Sequence, residues 1–532
     1  MNTGRVLAAR PQLWAFLCGC VAVSAGVALH LPMFWMGRNN GFRLADMPMD
    51  AAMGWGMALI VGGIAVAGYG LLPRAAAPGP RPSVRVLTPQ DQPLSWAHGR
   101  LMGVLTVALV IDVMKPASLG FVLPGMASEY GISKLTVAWL PFAALCGTVV
   151  GSVLWGWLAD LYGRRAAILL SAVMFVGTAI CGAMPSLWWN VGMCFLMGAA
   201  AGGMLPVTYA LLAETIPSKQ RGWALVLVGG LGAVGGYLAA SAAAGWLEPL
   251  FSWRILWFLN LPTGLQLIFL NAFIPESPKF LLDHGRAEEA RTLLRRFGSV
   301  VETAPALDAA SLSNAPTPRS PRQGVAARTW ALSVAAIAWG LINFGLLLWM
   351  PVHLVESGYS MAVSSALLSA SALIAIPTVF VAALLYGRWS SKAALLVAIA
   401  VTALGLAWLV ALELHAPPRP SPVWPVALLI IGSNGIIAML LPYAAESYPA
   451  HIRARATGWV AACTKGGGLI AQLLSLMGWV PVFFVAAILV FAPLLLAFVL
   501  IWRHCVETRG RDLHQLEIAD ALVPAPRPTC TP

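Results

Sequence analysis

The sequence predicts an all-α membrane protein: a 6+6 pseudo-symmetric helical bundle with two extra transmembrane helices at its amino-terminal end, about fourteen spans in all. Three observations lead there. Of 532 residues, 59% are apolar and only 10% charged, whereas a soluble domain carries about 25% charged residues. Apolar runs of about 20 residues, the length that crosses the hydrocarbon, recur along the whole chain. Lipid offers the backbone no partners, so each span closes its own hydrogen bonds as a helix. Finally, two charged loop motifs occur twice at nearly one offset, the mark of an internal duplication.

Taken in order, the spans fall near residues 12–34, 51–73, 101–125, 137–158, 166–184, 188–213, 223–246, 255–274, 329–351, 362–385, 393–412, 423–445, 456–477 and 479–501. The first resembles a secretory leader in following Arg5 and Arg10, but the run from Trp14 to Trp35 is long and no small-residue cleavage site follows it. Residues 1–75 therefore hold two helices joined by the polar loop Gly37-Arg38-Asn39-Asn40. A Pro-rich cytoplasmic linker covers 76–98, and six helices fill 99–274. Residues 275–328 form the cytoplasmic loop between the halves. In it, Leu281, Leu282, Ala287, Ala290, Leu293 and Leu294 recur at roughly helical period between Lys279 and Phe297, which predicts one amphipathic helix on the membrane surface. Residues 303–326, rich in Ala, Ser and Pro, read as a flexible linker. Six more helices over 329–501 and a polar cytoplasmic tail over 502–532 complete the chain.

The net charge of +12 is a topology signal rather than a nucleic-acid footprint. With the amino terminus in the cytoplasm, 26 of the 33 Lys and Arg fall in inner loops and tails, and five fall outside: Arg38, Arg43, Lys134, Arg254 and Arg419. The positive-inside rule predicts such a bias. It puts both termini in the cytoplasm, the chain in a bacterial-type inner membrane, and the bilayer in place of nucleic acid as partner. The eight cysteines sit mostly inside spans with no zinc-like spacing. No metal site, no cofactor and no disulfide framework is expected.

The fuller copy of the first motif runs from Gly156 through Asp160 to Gly163-Arg164-Arg165. Its worn copy, Leu385-Tyr386-Gly387-Arg388, lies about 224 residues later. Glu214-x-x-Pro217-x-x-x-Arg221 recurs as Glu446-x-x-Pro449-x-x-x-Arg453, shifted by 232. In the first motif, Gly156 suits a close helix approach, Asp160 suits the positive amino terminus of a neighbouring helix, and the two arginines suit the cytoplasmic lipid surface. Plain topology and folding would also account for the motif.

These motifs resemble the major facilitator superfamily over about residues 99–505. Pro275-Glu276-Ser277-Pro278 and both Glu-x-x-Pro-x-x-x-Arg blocks resemble its sugar-porter and metabolite:proton symporter groups. Asp112 followed by Gly120-Phe121-Val122-Leu123-Pro124 resembles the aromatic-acid:proton symporters. The resemblance implies a bundle working by alternating access, with Gly156, Asp160, Gly163, Arg164, Arg165, Glu214, Arg221, Arg388, Glu446 and Arg453 latching the halves on the cytoplasmic side. It says nothing of residues 1–75. It also departs from the drug antiporters, whose fifth core helix carries a Gly-Pro-x-x-Gly-Gly block, where this chain has Gly232-Ala233-Val234-Gly235-Gly236.

Three ionisable residues fall deep within the core spans: Asp112 and Lys115 in the first core helix, and Lys465 in the eleventh. A charge in hydrocarbon is costly and marks a functional site by default. Asp112 and Lys115, three apart, share a helical face. The pair would be poised: an anion that takes over the lysine leaves Asp112 to bind a proton. A static pair that tolerates burial is the alternative. Lys465 precedes Gly466-Gly467-Gly468, and so dense a glycine run weakens a helix and suits an unwound, cavity-lining segment. Asn343 and Asn434 on the seventh and tenth core helices would orient a ligand, with Tyr209 and Trp339 as an aromatic wall.

The sequence thus predicts a proton-coupled symporter for a small organic anion, a carboxylate with aromatic acids among the candidates, in which Asp112 carries the proton. A proton-coupled exporter of drugs or metabolites and a sugar or polyol carrier are the competing transporters, and a sensor that keeps the fold without flux is the competitor from another class. A monomer is expected. No nucleotide loop, metal cluster or nucleophile constellation suggests an enzyme.

Overall fold

The computed structural model describes residues 10–72, 84–87, 93–202, 204–298, 300–303, 322–414, 421–448, 453–477 and 483–508. The two leading helices are α1 (Arg10–Ala28) and α2 (Ala51–Leu71). The first half follows as α3 (Trp96–Tyr130), α4 (Trp139–Tyr162), α5 (Arg164–Gly177), α6 (Leu187–Ala201), α7 (Met204–Thr215), α8 (Ser218–Phe251) and α9 (Asn260–Leu270). In the connecting loop lies α10 (Ala287–Arg296). The second half is α11 (Arg322–Gly340), α12 (Met361–Arg388), α13 (Ser391–Glu413), α14 (Val423–Ser447), α15 (Arg453–Leu476) and α16 (Phe483–His504). A two-stranded antiparallel ribbon pairs Val84–Leu87 with Val300–Thr303.

Among the described residues, twelve helices are long and apolar enough to cross a membrane, against fourteen expected. The span expected at 188–213 is divided near Gly202 into α6 and α7, each too short alone. The span expected at 456–477 is α15, whose Arg455, Lys465, Gln472 and glycines dilute its apolar character. Exposed tryptophans cluster toward helix ends, among them Trp14, Trp96, Trp188, Trp246, Trp424 and Trp502, where an indole bridges hydrocarbon and headgroups.

The leading helices pack through small residues. A side chain at Gly19 or Gly26 of α1 would strike the backbone of α2 at Gly63 or Gly56, and Gly63 and Gly70 meet α1 in return. Without an aqueous hydrophobic drive, such close backbone approach is what joins helices in lipid. Together α1 and α2 lie against α5 and share one apolar core with the first half, joining Phe16, Val23 and Ile60 to Ile168, Val173 and Leu211. The loop after α1 folds back as an aromatic cap in which Phe34 meets Phe258 at 5.0 Å and Phe42 meets Phe251 at 5.9 Å.

Beneath that cap, Glu129 near the end of α3 forms a buried ion pair with Arg254 at 2.7 Å. Its carboxylate also accepts from the Leu44 and Ala45 amides (2.7 and 3.0 Å) and the Trp253 indole (2.9 Å). Arg254 donates onward to the Gly182 and Met184 carbonyls. Arg254, expected in an outer loop, is instead wholly buried, and all three nitrogens of its guanidinium find acceptors there.

The loop between the halves also differs from expectation. The single amphipathic helix is two pieces, Pro278–Asp283 and α10, with Gly285 between them at φ +72°. Leu281, Ala290, Leu294 and Phe297 turn onto the protein rather than the membrane, and Phe297 sits edge-on to His98 at 5.1 Å. Most of the linkers expected at 76–98 and 303–326, and the tail from 509, lie outside the described residues.

Candidate functional site

The two halves meet closely at the end of the bundle that carries Lys134 and Glu356, which form an ion pair there. Toward that end a side chain at Gly120 of α3 would strike the Leu348 carbonyl at 2.5 Å, and one at Gly468 of α15 would press on Leu145 of α4. At the other end, Asp160 is largely exposed, and among the described residues it pairs only with Arg164 at the start of α5, at 2.8 Å. Gly156 faces open space; the close approach of α4 to α6 uses Gly147 and Gly151, on another face of the same helix. Among the described residues nothing meets a side chain placed at Gly156, so the expected close approach there does not hold in this arrangement, and Asp160 accepts from the side chain of Arg164, the first residue of α5.

Between these ends lie the three deep charges. Asp112 and Lys115 are both buried, 3.7 Å apart. The Lys115 ammonium stands 3.4 Å above the centre of the Phe175 ring on α5, so it is held inside the first half by a carboxylate and an aromatic face. Lys465 approaches from α15 of the second half and interacts electrostatically with Asp112. It is only half-buried, and among the described residues no carboxylate lies within ion-pair distance of it. Its nearest aromatic partner is Phe344, 5.5 Å from Nζ to the ring centre.

Phe344 and Asn343 belong to a π-helical segment, Leu341–Leu347, that continues α11. Such widened turns favour functional sites because one residue too many is forced outward. The side-chain amides of Asn343 and Asn434 are half-buried and make no hydrogen bond among the described residues, so both have donors and acceptors to spare. The glycine run after Lys465 does not unwind α15, which is continuous. It makes room: a side chain at Gly467 would strike the Ile337 carbonyl of α11, and one at Gly468 the Phe344 ring at 2.6 Å.

The expected aromatic wall is only partly there. Trp339 is buried and donates its indole N–H to the Ser433 carbonyl at 2.9 Å, which makes it a strut between α11 and α14. The Tyr209 hydroxyl lies against Gly229 of α8. Phe175 and Phe344, which actually face the two ammonium groups, were not legible as site residues, since nothing in their local sequence separates them from packing phenylalanines. A cavity of about 500 Å³ lies elsewhere, lined mostly by apolar groups of Trp96, Met102, Trp223, Leu227 and Leu231.

At the end that carries Asp160, the duplicated motifs build two matching latches. In the first half, Glu276 accepts from the Arg164 amide at 2.7 Å and caps α5, while Ser277 donates to Glu214 at 2.5 Å. In the second half, Glu507 accepts from the Ser391 amide at 2.9 Å and caps α13, while Thr508 donates to Glu446 at 2.9 Å. Glu276-Ser277 and Glu507-Thr508 are thus a third repeat, offset by 231, too short to stand out in the sequence. Gly163, at φ +99°, has no room for a side chain beside the Glu276 carboxylate. Burial pushes the Glu276 carboxyl above the usual range, against the hydrogen bonds from Ser277 and Arg164 and the charge of Arg165. Glu446 also accepts from Tyr386 at 2.8 Å and interacts with Arg221 across the halves. Arg388 is exposed and makes no ion pair among the described residues, so it stays out of this network. The Arg453 side chain lies outside the described residues.

Comparison with known proteins agrees with this architecture. The chain is 26% identical to a niacin transporter of Acinetobacter baylyi over 402 residues, 72% of this chain and 88% of that one. It is 24% identical to a benzoate transport protein of the same organism over 404 residues, 73% and 84% of the two chains. The fold matches a partially occluded, inward-open structure of an E. coli xylose transporter with a TM-score of 0.60 at 16% identity, covering 79% of this chain and 100% of that one. The sequence profile of the Major Facilitator Superfamily matches residues 105–472. With the duplicated latches, the paired halves and the multi-pass helical bundle, that match places the chain in the Major Facilitator Superfamily, as a membrane transporter and not an enzyme.

Proposed function

We propose that this transporter is a proton-coupled symporter of a small aromatic carboxylate, working by alternating access as a monomer in the inner membrane with both termini in the cytoplasm. The observation that carries the reading is an ammonium with no carboxylate at ion-pair distance among the described residues, Lys465, facing an ion-paired carboxylate, Asp112, across the seam of the two halves. Lys465 receives the anion, and the free amides of Asn343 and Asn434 orient it. Lys115, drawn onto Phe175 inside the first half, is the partner that sets the charge of Asp112 rather than an anion contact. Substrate charge on Lys465 removes one of the two cations that favour the Asp112 carboxylate, so Asp112 takes a proton and the pair crosses together. The relatives named for niacin and benzoate support an aromatic acid as cargo.

In this reading the end with Asp160 and Glu276 faces the cytoplasm, and the Lys134–Glu356 pair closes the opposite end. The latches at Glu276 and Glu507 brace the cytoplasmic end within each half, and Arg221 and Glu446 join the two halves there. Purified protein in proteoliposomes tests the coupling. Under an inward proton gradient the wild type accumulates benzoate or nicotinate above equilibrium. Asp112→Asn is expected to abolish accumulation and to retain exchange of internal for external substrate. Accumulation undiminished in Asp112→Asn would remove Asp112 from the coupling step.

A further inference from the structure

Phe344 is held from three sides. Gly468 of α15 leaves space for its ring, and Trp339 meets that ring edge-on with centroids 5.8 Å apart. Gln472, wholly buried on α15, donates to the Phe344 carbonyl at 2.7 Å. Lys465 and Gln472 lie seven residues apart, on nearly one face of α15, so one helix grips Phe344 twice, by its ring and by its backbone. The carbonyl grip falls inside the π-helical segment, where the shifted hydrogen-bond register leaves backbone groups in need of outside partners. Phe344 is therefore an immobilised ring within reach of the Lys465 ammonium.

Resting on the anion-carrier reading, we propose that Phe344 is a specificity-determining residue that selects planar aromatic carboxylates over aliphatic ones of equal charge. The geometry permits one ligand to use both groups. A carboxylate bound to Nζ of Lys465 brings an attached six-membered ring alongside Phe344, since aromatic pairs engage with centroids about 4.5–7 Å apart and Nζ itself stands 5.5 Å from that centre. In the empty site the ring stabilises the ammonium by cation–π attraction. In the loaded site the anion takes the ammonium and the ring takes the ligand's ring. An aliphatic acid gains only the first contact.

The test compares benzoate with cyclohexanecarboxylate, equal in charge and close in size, by equilibrium binding to the full-length protein. The wild type is expected to bind benzoate more tightly. Phe344→Leu is expected to weaken benzoate roughly two- to tenfold, the range for one aromatic pair, and to leave cyclohexanecarboxylate unchanged. Phe344→Tyr, which restores the ring, is expected to restore the preference. If Phe344→Leu does not fold, Phe344→Met supplies the ring-free arm. Equal weakening of both acids, or no weakening of either, overturns the assignment of Phe344 and leaves the anion site standing. A wild type that saturates with neither acid overturns the anion reading and this inference with it.

Discussion

Lys465 and Lys115 are the same residue type at similar depth, yet their surroundings give them different work. Lys115 has a carboxylate at 3.7 Å and a ring face at 3.4 Å, and is buried. Lys465 has a ring at 5.5 Å and remains half-exposed. Substituting Lys465 should therefore act on ligand affinity and substituting Lys115 on folding and coupling. Lys465→Ala is expected to weaken an aromatic carboxylate by roughly ten- to a hundredfold, the loss of one charge-assisted hydrogen bond of about 1.5–3 kcal/mol, with little change in melting temperature. Lys115→Ala leaves Asp112 without its close cation, and breaking a buried pair costs about 3–5 kcal/mol, which a thermal melt in detergent would register. Equal melting losses in the two variants would contradict this division. The three charges were legible in the sequence because charge in hydrocarbon stands out against its surroundings. Which of them faces ligand was not, because that depends on Phe175 and Phe344, contributed by helices distant in sequence.

At the scale of elements, fold class and helix order were legible because lipid imposes one solution on an apolar run. The joints between helices were not. The glycine run of α15 reads as a weak point, but its neighbours turn it into a packing surface, since Gly467 and Gly468 meet α11 where any side chain would clash. The latches likewise depend on loop residues reaching back over long separations, 112 residues from Arg164 to Glu276 and 116 from Ser391 to Glu507. The raised carboxyl of Glu276 gives its latch a pH signature. A carboxyl whose folded value lies above its unfolded one contributes stability fully below the unfolded value and loses it as pH rises through the folded value. Wild type is therefore expected to lose stability relative to Glu276→Gln as pH rises above the usual carboxylate range, because the amide keeps an acceptor oxygen for the Arg164 amide and has no charge to desolvate. Melting temperatures of both proteins over that rise check it, and a pH-independent difference would mean the carboxyl titrates as it does in the unfolded chain.

At the scale of the whole molecule, the leading helices belong to the first half mechanically. They share its apolar core, and their loop supplies two amides to Glu129. Glu129→Gln is thus expected to destabilise that half by about 3–5 kcal/mol, since it leaves Arg254 buried without its counter-charge. The opposing claim, that the halves move relative to each other, concerns the seam at Lys134 and Glu356. Both side chains are about half exposed there, so the pair contributes little stability, about 0–1 kcal/mol. Charge removal is therefore a poor test of the seam and covalent closure is a good one. Lys134→Cys with Glu356→Cys, joined by a short bis-maleimide, ties that end shut. Alternating access then predicts that crosslinked protein binds substrate from the other side but transports none, while each single variant treated identically transports at nearly the wild-type rate. Transport that survives complete crosslinking would mean that the seam does not open during the cycle, and the site between Asp112 and Lys465 would need another path to the medium.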